Sequence, residues 1–167
     1  WTGSSNTDWN NPDNWSPTVV PVTTDDVLIP EVQTVYPVLT SDAEIKTLEI
    51  AASASLSASS YNLTINGYTG AWTNNGTFNA GSGTVRFTHG INTHVVTASG
   101  NTQFNNIYFG ENTYLRPGSN THMKISGLAS GEPTSIVDLS AVGNTVEYNG
   151  TDQYFSNPAT VGFDVTG

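Results

Sequence analysis

The stretch NNGTFNAGSGTVRFTHG, residues 74–90, shows how this chain is built. It consists of short apolar-centred segments, each of which is closed by Gly or Asn. In the segment GTVRF, Val85 and Phe87 fall on one side of an extended chain, and Thr84 and Arg86 fall on the other. This alternation predicts short β-strands that bury one side and are joined by tight turns.

The same period of two runs along most of the sequence, and no long window has apolar residues at helical spacing. Gly, Asn, Ser or Pro bounds each of the short segments, as is usual for strands. The sequence therefore predicts an all-β chain. The predicted strands are 27–29, 45–50, 61–65, 76–78, 84–87, 94–97, 106–109, 113–115, 122–125, 136–139, 145–148, 153–155 and 163–165.

Two segments of the chain resemble each other, which is typical of repeat folds. GTVRFTHG, residues 83–90, matches NTVEYNG, residues 144–150, at an offset of 61 residues. Short strands separated by recurrent small residues favour coils of roughly 20–25 residues with three strands each. We expect a right-handed parallel β-solenoid, in which Gly supplies the positive φ of the corners. A β-sandwich is the alternative, because its strands are also regularly spaced.

The N-terminal segment differs in composition from the rest of the chain. It holds Trp1, Trp9 and Trp15, which are three of the four Trp residues. We expect residues 1–26 to form an aromatic cap that covers the first coil, and residues 27–167 to form the solenoid. A bare end coil would expose apolar side chains and unpaired strand edges. Because the last predicted strand has no polar coil after it, we expect the coils to continue in a longer chain or in further copies of this one.

Composition excludes several classes of function. The net charge is -10, with Lys+Arg 4 against Asp+Glu 14, so no nucleic-acid partner is expected. The chain has no Cys, which excludes disulfides, thiolate zinc sites and a cysteine nucleophile. No apolar run reaches the roughly 18 residues of a membrane span, so no membrane insertion is expected.

Clustered carboxylates raise the question of calcium. Asp8 and Asp13 lie in the Asn-rich segment 6–15, and Asp25 and Asp26 precede the first strand. Hard oxygen ligands of this kind can bind Ca²⁺. The alternative is that Asn and Asp form Asx-turns in the cap, and that the Asp pair belongs to a turn. Calcium is the only cofactor that the sequence indicates, and a chain with no cofactor is equally consistent with it.

Other polar residues can be interpreted as sites or as ordinary surface. His89, His94 and His122 could bind a metal, but no third ligand lies nearby in the sequence. A ring on a loop can stack on a sugar, which makes Trp72 and Tyr68 candidates for glycan contact; packing over a corner is the alternative for Trp72. A polysaccharide-degrading β-helix would need carboxylates and basic residues on one face. Its candidates would be Arg86, Arg116, Lys124, Asp138 and Glu147, of which Arg86 and Glu147 occupy equivalent places in the two similar segments.

Several phrases resemble repetitive exported surface proteins. They are WTGSSNTDWNNPDNW (1–15), VPVTTDDVLIP (20–30), NLTING (62–67), NNGTFNAGSGTVRF (74–87) and NTVEYNG (144–150). They are similar to filamentous-haemagglutinin-like β-solenoid adhesins, which are often cargo of type IX secretion. The resemblance implies a non-catalytic, extracellular or cell-surface, structural or adhesive module with a glycan, a cell surface or its own copies as partner. The alternatives are a carbohydrate-binding module and a polysaccharide-degrading β-helix enzyme.

Overall fold

The computed structural model describes residues 1–31, 34–88, 95–150 and 155–156. One 3-10 turn, Pro12–Asn14, is the only helical element among them, and all other regular structure is strand. The strands are β1 (Asp26–Ile29), β2 (Ala43–Ile45), β3 (Thr47–Ile50), β4 (Ser55–Ser57), β5 (Leu63–Ile65), β6 (Trp72–Asn74), β7 (Thr77–Asn79), β8 (Thr84–Phe87), β9 (Val95–Phe104), β10 (Asn106–Phe109), β11 (Tyr114–Pro117), β12 (His122–Ile125), β13 (Ala129–Gly131), β14 (Ile136–Val137), β15 (Thr145–Tyr148) and β16 (Phe155–Ser156).

The strands stack into three faces. Face 1 contains β2, β5, β8, β10, β13 and β16 in that order. Face 2 contains β1, β3, β6, the first part of β9, β11 and β14. Face 3 contains β4 paired with β7, and then the second part of β9 paired with β12, which pairs with β15. Each turn of the chain visits the three faces in sequence, so the architecture is a parallel β-solenoid of about 5 turns.

The register shows why the strands stack in this way. All strand pairs in the described part of the chain are parallel, and on face 1 Leu63 pairs with Val85 while Ile107 pairs with Ala129. Both of these steps are 22 residues, within the predicted coil length. Parallel pairing at one-coil steps confirms the solenoid, and the β-sandwich alternative is wrong, because a sandwich is built from antiparallel strands.

The core consists of the inward side of each strand. Alternate residues are buried, so that Ile45, Leu48, Ile50 and Leu56 of the first full coil all have an exposed fraction of 0%. Apolar residues stack on apolar residues in the coils above and below, since the parallel register holds their columns fixed. Burying each such side chain is worth about 1.5–3 kcal/mol.

Positive φ is required at one stacked corner. Ser59 has φ 55 and Gly81, one coil later, has φ 59. A Cβ on Gly81 would lie only 1.6 Å from the Ser59 carbonyl oxygen, so no larger residue fits there. This corner confirms the prediction that Gly serves the turns, because only Gly combines a left-handed backbone with such close approach.

The N-terminal segment packs as the predicted aromatic cap. Trp1, Trp9 and Trp15 are buried, with exposed fractions of 8%, 1% and 6%. Trp15 lies edge-on to both of the others, with ring centroids 4.9 Å from Trp1 and 4.7 Å from Trp9. Edge-to-face packing suits the quadrupoles of aromatic rings. The Trp15 indole also donates to the Trp9 carbonyl oxygen at 2.7 Å, so this buried polar group has its partner.

The cap also covers strand edges. Val38 forms parallel bridges to Asp8 on one side and to Ser57 of β4 on the other, which extends face 3 into the cap. On face 2, the Trp1 amino group donates to the Leu28 carbonyl oxygen of β1 at 2.9 Å. Edges that are covered in this way offer no free template for another chain.

Some predictions of repeat and strand position were wrong. The two similar segments contain β8 on face 1 and β15 on face 3, so they are not equivalent coils. Their offset does not match a whole number of coils, and they resemble each other because every face makes the same period-two demand. The single strand predicted at 45–50 is divided into β2 and β3 on different faces. The strand predicted at 163–165 lies outside the described residues.

Candidate functional site

The four basic residues of the chain all contact the neighbouring coil. Lys46 donates to Asp26 at 3.0 Å, and Lys124 lies 3.2 Å from Glu147. Arg116 lies 2.8 Å from Asp138. Arg86 lies over the ring of Tyr108, 4.8 Å from its centroid, in a cation–π contact. Since the sequence has only these 4 cations, its positive charge is distributed along the stack and does not gather at one centre.

Carboxylates on the outer surface are bound in the same way. Hydrogen bonds from Ser140, Arg116 and Tyr114 hold the pKa of Asp138 well below its usual range. On face 1, hydrogen bonds from the Asn62 amide groups one coil later lower the pKa of Asp42. Hydrogen bonds from Lys46 and Thr47 lower the pKa of Asp26. These groups are therefore charged at neutral pH and act as coil-to-coil acceptors.

Face 3 carries a groove of about 510 Å³ across its last three described strands. The outward side chains of the second part of β9, of β12 and of β15 line it, and Thr102 lies at its floor. The six outward residues are Asn101, Gln103, His122, Lys124, Thr145 and Glu147.

The register arranges these side chains in two columns. One column is Asn101, His122 and Thr145, and the other is Gln103, Lys124 and Glu147. The His122 ring and the Thr145 hydroxyl lie 2.6 Å apart within the first column. The groove is thus a polar surface that repeats from coil to coil.

A second groove, of about 720 Å³, lies between the cap and β1. Trp1, Pro17, Val19, Asp25 and Leu28 are among the residues that line it. Leu28 is 47% exposed there. This groove mixes apolar and polar side chains and includes one edge of β1.

The carboxylates predicted as calcium ligands have other contacts. Asp8 accepts from Thr40 at 2.6 Å and from the Asn10 backbone N–H, and the Thr40 bond lowers its pKa. The Asp25 carboxylate accepts from the Val22 backbone N–H at 2.8 Å, which closes the turn before β1. Asp13 receives its backbone contact from the Asn11 side chain, an Asx-turn. Within the described residues, no three His, Asp or Glu side chains come together in a group that could hold a metal ion.

Asn14, not an Asp, organises the cap. It is fully buried, its amide oxygen accepts from the backbone N–H groups of Ser5 and Asn6, and its amide nitrogen donates to Asn6 and to the Asp8 carbonyl oxygen. Both ends of this amide are therefore satisfied, as a buried polar group requires. In the sequence, Asn14 was one of several Asn residues, and only packing singles it out.

Of the predicted histidine and aromatic sites, one is wrong. His89 and His94 lie outside the described residues, and His122 lies in the groove of face 3. Trp72 does not lie in a turn and does not face solvent: it belongs to β6 and is 2% exposed. It packs edge-on to Phe78 and donates to the Thr102 hydroxyl at 3.0 Å, so it cannot stack on a glycan. Tyr68, its predicted partner, is 38% exposed and lies apart from any buried cluster.

The candidate residues for polysaccharide cleavage lie on three different faces. Arg86 is on face 1, Arg116 and Asp138 accompany face 2, and Lys124 and Glu147 are on face 3. The prediction that Arg86 and Glu147 share a face is wrong, because their strands belong to different sheets. The described structure therefore divides these residues into local pairs.

Sequence reasoning did not predict the strand that holds Asn101 and Gln103. The signal was present, because Thr102 and Phe104 are buried while Asn101 and Gln103 are exposed. It was missed because Thr102 is polar, which hides the alternation from a pattern of apolar residues. Its hydroxyl is satisfied by Trp72 and Asn74, which is why it tolerates burial.

The model of a protein family matches residues 1–114, which cover the cap and the coils through the start of β11. The family is described as a domain of unknown function, DUF8693. No curated protein and no solved structure matches the chain. None of the helical structure described here is long and apolar enough to cross a membrane. Since the match covers more than half of the sequence, the chain belongs to the DUF8693 family.

Proposed function

We propose that this chain is a non-catalytic structural or adhesive module of an extracellular or cell-surface protein. One observation carries the proposal: all four basic side chains contact an acidic or aromatic side chain of the adjacent coil. A polysaccharide-cleaving site gathers acids and bases around one bond. Here the ionisable groups are distributed along the stack, which is the arrangement of a stiff rod that presents its faces.

The cap and the polar faces support the same proposal. Covered strand edges keep a solenoid from self-association at that end, which an exported rod needs. The outward residues are mostly Thr, Asn and Ser, and charged residues make up only 11% of the chain. Such faces suit contact with a hydrated cell surface.

Adhesion is tested with beads. Beads coated with the full chain are added to bacterial and animal cells, and retention after washing is compared with that of beads coated with albumin. We expect retention above the albumin level. Retention equal to that of albumin on every cell type would remove the adhesive half of the proposal.

Catalysis is tested separately. The full chain is incubated with pectin and with alginate, and the release of reducing ends is followed over time. We expect no release above a heat-denatured control. Steady release that is lost on changing Arg116→Gln or Glu147→Gln would instead favour a polysaccharide-degrading enzyme.

Localisation is tested on intact cells of the source organism. An antibody raised against the chain should label unpermeabilised cells or the culture medium, and external protease should remove the cell-bound signal. Labelling that appears only after permeabilisation would contradict the proposed location.

A further inference from the structure

The groove of face 3 has the features of a ligand site that the sequence did not indicate. It crosses three consecutive coils, and the outward side chains of each coil contribute to it. Neighbouring strands lie about 4.7–4.9 Å apart, so each column repeats its polar groups at that spacing along the solenoid axis. We propose that this groove binds a neutral, hydroxyl-rich glycan chain lying along the axis. The inference rests on the proposed adhesive function and names its ligand class.

Charge is the first argument for a neutral ligand. The chain as a whole carries -10, but the groove contains one Lys and one Glu, and these two pair with each other at 3.2 Å. An anionic polymer would find no unpaired Lys or Arg in the groove, and the acidic surroundings would repel it. A cationic ligand would find no excess carboxylate in the groove. A neutral polar ligand has no such penalty.

Hydrogen-bonding capacity is the second argument. The amides of Asn101 and Gln103 and the hydroxyl of Thr145 can each donate and accept. A sugar hydroxyl also donates and accepts, so the two surfaces match without regard to direction. No large apolar side chain lines the groove. Peptide-docking sites usually depend on such anchors, so a glycan fits this surface better than a peptide.

Exposure allows direct contact. Lys124 and Glu147 have side-chain exposed fractions of 49% and 53%, and Asn101, Gln103 and Thr145 are exposed as well. Beneath them, the buried bonds from Trp72 and Asn74 to Thr102 hold the floor of the groove in place. A rigid floor lowers the entropy cost of ordering the site on binding.

The repeat predicts a dependence on ligand length. One sugar contacts one coil, whereas a longer chain contacts the same column in three coils. Each added contact within one ligand raises the affinity by effective concentration. A hexaose should therefore bind more tightly than a disaccharide of the same sugar.

The test is calorimetric titration of the full chain, at pH 7.5, with the hexaoses of cellulose, mannan and xylan. Oligogalacturonate and oligoalginate serve as acidic probes. We expect at least one neutral hexaose to bind, more tightly than its disaccharide and than both acidic probes. Gln103→Ala and Thr145→Ala should each lower that affinity about fivefold, the effect of one lost hydrogen bond. Glu49→Gln, on exposed face 2, is the matched control and should bind as the parent does.

Circular dichroism of each variant shows that it folds. The proposal is overturned if no neutral hexaose binds, if the acidic probes bind more tightly, or if both groove variants bind as well as the Glu49→Gln control. Retention of coated beads on cells separates the two proposals. Retention without binding of any neutral glycan would leave the adhesive function standing and remove this ligand.

Discussion

The first full coils and the last described coil follow the same pattern but differ in burial. Ile65 of β5 has an exposed fraction of 0% and lies between β2 and β8. Val146 and Tyr148 occupy inward positions of β15 but are only partly buried. β15 pairs with β12 alone in the described structure. An inward side chain in a solenoid is thus fully buried only when a neighbour covers its strand on both sides.

The two regions also differ in how their ends are built. At the N-terminal end, Trp9 and Trp15 take the place of another coil, and Val38 continues face 3 into the cap. At β15, partial burial still raises the pKa of Tyr148 to about 12. Aromatic packing therefore does for the first coil what a neighbouring strand does for the inner coils.

The sharpest test of this comparison places a charge at matched inward positions. Ile65→Asp should prevent folding, because an unpaired carboxylate would be buried between two strands. Val146→Asp should leave a folded protein with a lower melting temperature, since its site is partly exposed. Circular dichroism and thermal melting measure both. Equal damage from the two variants would show that burial does not distinguish these coils.

The next largest effect is expected at the cap. Trp9→Ala should lower the free energy of unfolding by about 3–5 kcal/mol, because it leaves a cavity beneath Trp15 and against the first coil. Urea unfolding followed by circular dichroism measures it. Trp9→Phe is the control and should recover most of the loss. A Trp9→Ala protein with the parent midpoint would mean that the cap adds nothing to the stack.

A buried polar link within the stack should matter less. Thr102 is 4% exposed and accepts from the Trp72 indole and from the Asn74 amide, each at 3.0 Å. Thr102→Val keeps the shape but removes the acceptor, which should cost about 1–3 kcal/mol. Thr102→Ser retains the hydroxyl and should keep more of the stability in the same urea titration. A Val variant as stable as the Ser variant would contradict the role of the hydroxyl.

The smallest effect is expected from acid. The pKa of Asp138 is lowered from 3.8 in the folded chain, so its contribution to stability is present above that value and is lost as pH falls below it. The same sign holds for Asp26 and Asp42. The urea midpoint should be steady from pH 7 to about 5 and should fall below about pH 4. Asp138→Asn should show a shallower fall, and an identical acid profile would contradict this assignment.

Much of the fold could be predicted from the sequence, because the signals for it are local. The period of two gave β8, β10, β12 and β15 with the bounds that the structure has. The fate of Trp72 could not be predicted, since its neighbours in the sequence are small and polar while its neighbours in space are Phe78 and Thr102. For the same reason, the groove on face 3 has no signature along the chain, because its six residues come from three coils.

By itself, the sequence determined that the chain forms short strands, that Gly serves the corners, and that three Trp residues gather at one end. These features depend on alternation and on backbone conformation within a few residues. Only the tertiary structure decided which face each strand joins, because that depends on the length of every corner before it. Coils of unequal length place the similar segments that contain β8 and β15 on different faces. They also bring Lys124 and Glu147, which lie 23 positions apart, together as one neutral pair.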